Sequence, residues 1–212
     1  MNHKIANIRS DYTLKGLQES DLDTNPLKQF EKWFEEVLAS GLEEPNAMVL
    51  STVNEGKPSA RIVLLKDIDS GFKFFTNYGS KKGQEIEENP QVALTFFWKE
   101  LERQVRIEGI VEKVSAAESD EYFSSRPRGS QIGAWVSHQS AAIASREVLE
   151  ATNAELEARF EGKDIPRPAH WGGYRLIPTY MEFWQGRPSR LHDRLAYTKK
   201  EENNWKIERL SP

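Results

Sequence analysis

The spacing of apolar residues changes along the chain, from a helical period to short runs typical of strands. After Asn25-Pro26, apolar side chains recur at helical spacing until Gly41, which predicts a helix that begins at this Asn-Pro pair and ends before the glycine. The apolar face of this helix is expected to contain Leu27, Phe30, Phe34, Val37 and Leu38. Residues 1–24 are polar and aperiodic, so we expect them to form a flexible arm.

Short β-rich runs separated by turn residues follow from Ala47 onward. The predicted strands are 47–53, 59–66, 72–77, 91–98, 103–114, 173–184, 191–198 and 204–209, and the predicted helices are 80–88, 116–124 and 145–160. Sequential strands with few helices between them favour antiparallel pairing over a doubly wound parallel sheet, which needs regular alternation of strands and helices. The pattern therefore predicts a mainly β, α+β fold, in which an antiparallel barrel, closed or nearly closed, has peripheral helices.

Composition narrows the class of protein. The 212 residues are 38% hydrophobic and 29% charged, as in a soluble globular protein, and no linker divides 25–212, so one domain is expected there. The formal net charge of −4 argues against a nucleic-acid partner held by a general basic field. No run is apolar enough for a membrane span or a signal peptide, so we expect a cytoplasmic protein. The lack of cysteine excludes disulfides, thiolate metal sites and a cysteine nucleophile.

Two lysines follow a predicted helix cap. Ser80 is placed to cap the helix, and Lys81 and Lys82 then lie in its first turn, where each positive charge opposes the helix dipole by roughly 0.3–1 kcal/mol. A bound phosphate would reverse this effect, because the lysines and the free backbone N–H groups would both attract it. Two solvated lysines would also account for the pattern. The glycines nearby match neither a Walker loop nor a dinucleotide-binding loop.

A cationic run beside Trp184 is a second candidate for a ligand site. If 190–194 is a strand, Arg190, His192 and Arg194 share one face about 7 Å apart. Such a row repels itself unless an anionic or electron-rich group lies over it, although a solvated strand face is the alternative. The adjacent indole and the acidic net charge of the chain favour the ligand.

Two further segments place cations at the ends of predicted elements. Arg61 and Lys66 lie on opposite faces of one predicted strand, so they should serve different anions or none. The run 122–130 supplies tyrosine, arginine and serine donors at a helix end, where arginine would also complement the helix dipole. The histidines lack metal-ligand spacing, so no metal site is expected, and no hydrolase motif occurs. Cationic positions, many aromatic residues and no conventional nucleophile indicate a protein whose bound cofactor performs the reaction.

Seven short runs in order make the pattern specific. They are Arg61–Lys66 (RIVLLK), Thr76–Lys82 (TNYGSKK), Leu101–Val105 (LERQV), Ser125–Arg128 (SRPR), Ser130–Trp135 (SQIGAW), Phe183–Gly186 (FWQG) and Arg190–Arg194 (RLHDR). Together they resemble the pyridoxamine 5′-phosphate oxidase family over nearly the whole chain. The resemblance implies an FMN-binding split β-barrel, a homodimer, and oxidation of pyridoxamine or pyridoxine 5′-phosphate to pyridoxal 5′-phosphate. Oxygen would be the acceptor, giving H₂O₂, and the amine would also give NH₃, in vitamin B6 metabolism.

The resemblance also implies roles for individual residues. FMN would be bound by Arg61, Ile62, Val63, Leu64, Leu65, Lys66, Phe75, Thr76, Lys81, Lys82, Gln104, Gln139, Ser140, Trp184 and Arg194. The substrate would be bound by Arg9, Tyr12, Lys66, Tyr122, Arg126, Ser130, Arg190, Leu191 and His192. Arg190 and His192 would act at the substrate ring, Arg190 by positioning and His192 by hydrogen bonding. The arm would close over the substrate, and the two subunits would share the site.

Two positions depart from the commonest family pattern. Phe75 lies where tyrosine is frequent, so only an apolar or backbone contact is expected there, and Lys81 replaces a frequent arginine and loses its bidentate fork. Two alternatives remain open. One is a split-barrel protein that binds flavin or pyridoxal phosphate without catalysis, and the other is a flavin- or haem-using reductase on the same barrel. The complete set of substrate residues argues against both.

Overall fold

The computed structural model describes residues 5, 7, 11–201 and 204–212, so Arg9, which the resemblance assigns to the substrate, lies outside the described residues. Their strands are β1 (Ala47–Asn54), β2 (Lys57–Leu64), β3 (Asp67–Ile68), β4 (Phe72–Asn77), β5 (Gln91–Trp98), β6 (Arg103–Lys113), β7 (Trp171–Gln185), β8 (Asp193–Lys199) and β9 (Trp205–Arg209). Their helices are α1 (Pro26–Ala39), α2 (Lys81–Glu88), α3 (Ala116–Ser125), α4 (Arg128–Val136) and α5 (Arg146–Arg159). The mainly β, α+β composition is confirmed. None of these helices has the length and apolar character that crossing a membrane requires.

The described strands form one sheet in the order β2-β1-β5-β6-β7-β4-β3, with β8 on β7 and β9 on β8. The long strand β7 divides its pairing, because its first half pairs antiparallel with β4 and its second half pairs antiparallel with β8. The strand order is therefore an open path, so the fully closed alternative for the barrel is wrong for the described residues. A split sheet of this kind leaves strand ends available to line a site.

Helix α1 begins where the sequence predicts. The side chain of Asn25 accepts a hydrogen bond from the N–H of Leu27, and Gly41, with φ of +73°, follows the end of the helix. The buried face is rotated from the predicted one, since Trp33 is buried whereas Leu38 is 56% exposed. Leu38 was the last apolar residue of the pattern, and near the helix end packing against the sheet, not periodicity, decides which side is buried.

The chain divides into two compact units. The terminal unit consists of Met1–Val49, Ala93–Gly109 and Pro178–Pro212, and its core contains packed aromatic rings such as the tilted Phe30–Phe96 pair, with ring centres 5.0 Å apart. The central unit consists of Leu50–Val92 and Ile110–Ile177. Its cluster under helices α3 and α4 contains Phe123, Ile132, Ala134, Phe160, Ile165 and Trp171. The predicted single domain at 25–212 stays a prediction.

Two elements were not predicted. Helix α4 is not among the predicted helices, but Pro127 lies at its start and the apolar residues Ile132 and Ala134 give it a buried side. Strand β3 is only two residues long, and its pairing with β4 could not be seen from a local pattern. Helix α3, predicted at 116–124, begins with a capping box, in which Ser115 and Glu118 satisfy each other's backbone N–H groups.

A cluster of opposite charges ties β3, β4 and α3 together in the central unit. The Lys73 ammonium is 2.9 Å from Asp67, 2.9 Å from Asp69 and 3.0 Å from Glu118, and Arg175 binds two of the same carboxylates. The hydrogen bonds from Lys73 and Ser115 lower the pKa of Glu118 to about 2.

We predict that Glu118→Gln destabilises the fold in a pH-dependent way. Because the pKa of Glu118 is lower in the folded state, its ion pairs stabilise the protein above about pH 4.5, and this contribution is lost as the pH falls toward 2. The variant should lose roughly 1 kcal/mol of unfolding free energy at pH 7, since the site is partly exposed, and less below pH 4.5. Urea titrations across pH measure this. Glu121→Gln, on the exposed side of the same helix, is the control, and a pH-independent loss would contradict the prediction.

Candidate active site

A cleft of about 580 Å³ in the central unit contains most of the residues predicted for the flavin and the substrate phosphate. The predicted residues that line it are Ile62, Val63, Leu64, Lys66, Phe75, Thr76, Lys82, Tyr122, Arg126, Ser130 and Gln139. They come from the end of β2, from β4, from the first turn of α2 and from the region of α3 and α4. Leu65 is not among the lining residues, because its side chain is buried and 5% exposed.

Lys82 brings a buried positive charge to the start of helix α2. Ser80 caps the helix as predicted, since its side chain accepts a hydrogen bond from the N–H of Gly83, and Lys82 is 9% exposed. Its ammonium donates to the Thr76 hydroxyl (3.1 Å) and to the Gln139 side-chain oxygen (2.6 Å), which are neutral acceptors. Burial lowers the pKa of Lys82. No carboxylate contacts it in the described part of the chain, so the site favours an anionic ligand.

Arg126 brings a second cation, which is half-buried, to the cleft. Pro127 restricts Arg126 to an extended backbone conformation, so helix α3 ends here and α4 begins. The guanidinium lies 4.5 Å from the ring centre of Trp171 and 5.7 Å from that of Phe123. Its Nη1 is buried and has no hydrogen-bond partner among the described residues, and burial lowers the pKa of Arg126. A buried donor without a partner is costly, so this position also favours a ligand.

Nearly parallel aromatic rings form one wall of the cleft. Phe75 stacks on Tyr122 with ring centres 4.0 Å apart and on Trp171 with ring centres 5.7 Å apart. Gly173 pairs with Phe75 across β4 and β7, and a Cβ at this glycine would lie 2.7 Å from the Phe75 ring. Glycine therefore leaves the room that the ring needs. The wall offers a flat ligand an apolar surface near two cations.

Arg61 and Lys81, predicted to bind the flavin phosphate, are not among the residues that line the cleft. Both contact the buried carboxylate of Glu85 instead. Lys81 lines a second cavity of about 490 Å³ together with Gln139 and Ser140, and Gln139 also lines the cleft. Sequence reasoning missed Glu85, although its position one helical turn after Lys81 is a signal for an ion pair.

The terminal unit holds an aromatic cluster that includes a predicted catalytic residue. The His192 ring centre lies 4.6 Å from that of Trp184 and 5.7 Å from that of Tyr12. The N–H of Arg187 donates to His192 Nδ1 (3.1 Å), which leaves Nε2 to hold the proton of the neutral ring. Burial and the charge of Arg190 lower the pKa of His192. His192 is therefore arranged as a neutral hydrogen-bond donor.

The predicted strand face of Arg190, His192 and Arg194 is wrong. A 3₁₀ turn, Pro188–Arg190, precedes strand β8, which begins only at Asp193. Ser189 and Arg190 have φ values of 56° and 61°, a left-handed conformation that is uncommon for residues other than glycine and often occurs at functional sites. Leu191, predicted to contact substrate, is 71% exposed.

Arg194 is the one member of that row inside the strand, and each of its three guanidinium nitrogens already has a partner. Its Nε and Nη2 donate to the carboxylate of Glu182 at 2.8 and 3.0 Å, and its Nη1 donates to the carbonyl of Ser211. Glu182 is 2% exposed and also accepts from Arg106. Gln104, which is also a predicted flavin contact of this unit, lies half-buried on β6.

Glu102 fixes the chain just after Tyr12, which sequence reasoning did not anticipate. Its carboxylate accepts hydrogen bonds from the N–H groups of Thr13 (3.2 Å) and Leu14 (3.1 Å). Its backbone carbonyl accepts from the N–H of Gly186 (2.7 Å), directly after Trp184-Gln185. Glu102 therefore links the arm to the end of strand β7 within the terminal unit.

Comparisons with known proteins give the family. A sequence profile described as pyridoxamine 5′-phosphate oxidase matches residues 34–160, and one described as the pyridoxine 5′-phosphate oxidase C-terminal dimerisation region matches residues 171–212. The chain belongs to the pyridoxamine 5′-phosphate oxidase family. Relatives named pyridoxine/pyridoxamine 5′-phosphate oxidase occur in Trichormus variabilis, 61% identical over 100% of both chains, and in Cupriavidus metallidurans, 56% identical over 99% of both. The resemblance seen in the motifs is confirmed, and the chain is an oxidase of this family.

Two solved structures are similar in fold. PhzG from Burkholderia lata, in complex with tetrahydrophenazine-1-carboxylic acid, is 32% identical, has a TM-score of 0.88, and is matched over 96% of this chain and 100% of that one. A pyridoxamine 5′-phosphate oxidase-related, FMN-binding protein from Nostoc punctiforme is 15% identical, has a TM-score of 0.71, and is matched over 90% and 100%. The second likeness shows the fold alone. The predicted split-barrel class is confirmed.

We predict that Glu102→Gln loosens the arm. Glutamine has one acceptor oxygen and no charge, so it cannot hold both N–H groups as strongly, and the arm should detach more often. Trypsin should then cut after the exposed Lys15 roughly three to ten times faster, as followed by mass spectrometry. Glu100→Gln, exposed in the preceding 3₁₀ turn, is the matched control. Equal cleavage rates for Glu102→Gln and the parent protein would show that the hydrogen bonds from Glu102 do not hold the arm.

Proposed function

We propose that the protein oxidises pyridoxamine 5′-phosphate and pyridoxine 5′-phosphate to pyridoxal 5′-phosphate with bound FMN, and that O₂ is the acceptor. The main support from the structure is a cleft that holds two cations without carboxylate partners among the described residues, the buried Lys82 and the half-buried Arg126. A flavin mononucleotide and a vitamin B6 phosphate ester each have one phosphate, so two separate cations suit this pair of ligands. The curated relatives support the same substrates.

The residues of the cleft fit FMN in charge and in shape. The Lys82 ammonium and the positive end of the α2 helix dipole suit a phosphate, and the Thr76 and Gln139 oxygens already orient that ammonium. The apolar side chains of Ile62 and Leu64 line the same cleft, as a flavin ring requires. When bound, FMN would supply the redox chemistry, taking two electrons from the substrate and passing them to oxygen.

Arg126 would hold the phosphate of the substrate, with Lys66, Tyr122 and Ser130 as further donors that line the cleft. The free Nη1 of Arg126 would then gain the partner that it lacks among the described residues. Because its guanidinium is held over Trp171, little side-chain entropy would be lost on binding. Electrostatic attraction of the phosphate would place the ring of the substrate beside the aromatic wall.

The terminal unit would supply the groups at the reacting end of the substrate. Neutral His192 would donate from Nε2, Arg190 would position the substrate, and Tyr12 would pack over it. The match of residues 171–212 to a dimerisation region supports a homodimer in which the second subunit provides these groups. The alcohol loses two electrons and two protons, which reduce O₂ to H₂O₂. The amine also loses two electrons and two protons to O₂, and the resulting imine takes up water and releases NH₃.

PhzG supports a second candidate, the oxidation of another ring compound that has a carboxylate in place of a phosphate. The donors around Arg126 are more numerous than a carboxylate monoanion requires, and the full-length relatives at 56–61% identity are named for the vitamin B6 substrates. We therefore favour the phosphate esters. A third possibility is a non-catalytic flavin-binding protein, in which the substrate would not reduce the flavin.

Anaerobic bleaching tests the proposed function. The purified protein should be yellow. Pyridoxine 5′-phosphate added without oxygen should remove the visible absorbance band of the oxidised flavin. Readmitted air should restore the absorbance and give H₂O₂ and pyridoxal 5′-phosphate in equal amounts. Stable yellow colour would identify a non-catalytic binder. Bleaching by tetrahydrophenazine-1-carboxylic acid but not by the phosphate ester would favour the PhzG-like reaction.

We predict that Arg126→Gln weakens substrate binding and spares the flavin. Loss of charge-assisted hydrogen bonds to the phosphate should raise KM for pyridoxine 5′-phosphate by roughly 10- to 150-fold. The amount of FMN bound per subunit should not change, because Lys82 holds the other phosphate. Arg146→Gln, at an exposed arginine of α5 in the same unit, is the control. A loss of FMN with an unchanged KM would assign Arg126 to the cofactor instead.

A further inference from the structure

Glu85 is a buried carboxylate in a place where the proposed function calls for an anion from outside. It lies on helix α2, one turn after Lys81, and is 3% exposed. Its Oε2 accepts hydrogen bonds from the Thr52 hydroxyl at 2.6 Å and from Arg61 Nη2 at 2.9 Å, and its Oε1 contacts the Lys81 ammonium. A carboxylate beside a phosphate site repels the ligand, so its presence needs an explanation.

Arg61 depends on this carboxylate for its charge balance. Its guanidinium also donates to the Thr52 hydroxyl (2.6 Å), the Ser59 hydroxyl (2.7 Å) and the carbonyl of Leu50 (3.3 Å), which are neutral acceptors. Glu85 is therefore the one anionic partner of Arg61 in the described chain. Removing that charge while Arg61 remains would leave a largely buried cation uncompensated, which is costly.

The charges of Glu85 and of the three cations predicted for the flavin site leave an excess that a dianion would balance. Arg61, Lys81 and Lys82 contribute three positive charges, and Glu85 contributes one negative charge. A phosphate monoester has a charge of about −1.5 to −2 at neutral pH, which would neutralise the remainder. Burial raises the pKa of Glu85, but the hydrogen bonds from Lys81 and Thr52 outweigh it and lower the pKa below its ordinary value. Glu85 is therefore ionised at neutral pH.

We propose that Glu85 is a built-in counter-ion, which stabilises the cations of the phosphate site before the ligand arrives and then opposes the ligand phosphate. This inference rests on the proposed flavin site. The carboxylate has two opposite effects. It raises the stability of the protein without ligand, and it lowers the affinity for FMN below the value that Arg61, Lys81 and Lys82 would otherwise give.

Glu85→Gln separates the charge from the shape. The amide is nearly the same size, and its oxygen can still accept from Thr52 or Arg61, so the hydrogen-bond scaffold is largely kept. Glu88→Gln makes the same change of charge at an exposed position of the same helix and is the matched control. Riboflavin, which lacks the phosphate, controls for effects on the flavin ring.

The experiment measures binding to flavin-free protein by quenching of flavin fluorescence, together with the melting temperature at increasing inorganic phosphate. Relative to the parent protein, Glu85→Gln should bind FMN roughly tenfold more tightly and riboflavin equally. Without phosphate it should melt at a lower temperature, and phosphate should raise its melting temperature by more than that of the parent. Glu88→Gln should match the parent in every measurement.

Unchanged or weaker binding of FMN by Glu85→Gln would overturn the proposal, as would an equal change for riboflavin. If the variant is isolated only with FMN bound, the release rate of FMN after dilution decides, and release slower than from the parent is expected. If the parent protein binds no FMN, the proposed function fails. The phosphate dependence of the melting temperature still decides the role of Glu85 in that case.

Discussion

Buried positive charge without a paired carboxylate is the constraint around which the site is built. Lys82 and Arg126 each lose hydration in the cleft, and the described chain gives them neutral oxygens, aromatic rings or no partner at all. A protein tolerates such groups when a ligand supplies the missing charge. This excess of positive charge in the cleft agrees with the family assignment. It also agrees with the aromatic wall and with the proposed pair of phosphate ligands.

The other buried lysine and arginine of the described chain, Lys73 and Arg103, have carboxylate partners. Arg194 is bound to Glu182, Arg103 to Glu36, and Lys73 lies among three carboxylates. The chain has an excess of acidic residues, so unpaired cations in the cleft do not result from a shortage of carboxylates. Their isolation is therefore a property of the site. The same comparison distinguishes Arg61, which has the buried carboxylate of Glu85 as a partner, from Lys82, whose partners in the described chain are neutral.

The sequence predicted what local chemistry determines and missed what depends on distant partners. The cap at Ser80, the capping box at Ser115 and most strands follow from neighbouring residues, and the structure has them. The cleft residues were found because short motifs fix their types. Glu85 and Glu102 were missed. The spacing of Glu85 from Lys81 indicates only their own ion pair and not the contact with the distant Arg61, and nothing near Glu102 in the sequence indicates that it binds the backbone of the arm. The strand expected from Arg190 failed because two left-handed residues follow Pro188.

The backbone around Lys82 and Arg126 also explains why charge should determine how tightly the cleft binds its ligands, and why ordering of the chain on binding should matter little. Lys82 is placed by a capped helix start, and Arg126 by the proline that follows it. Both positions are fixed before a ligand binds, so little ordering remains to be done. Under these conditions the balance between attraction by the cations and repulsion by a nearby carboxylate has a large effect on binding. A single buried anion at the edge of the site, such as Glu85, can then adjust affinity without any change in the geometry of the cleft.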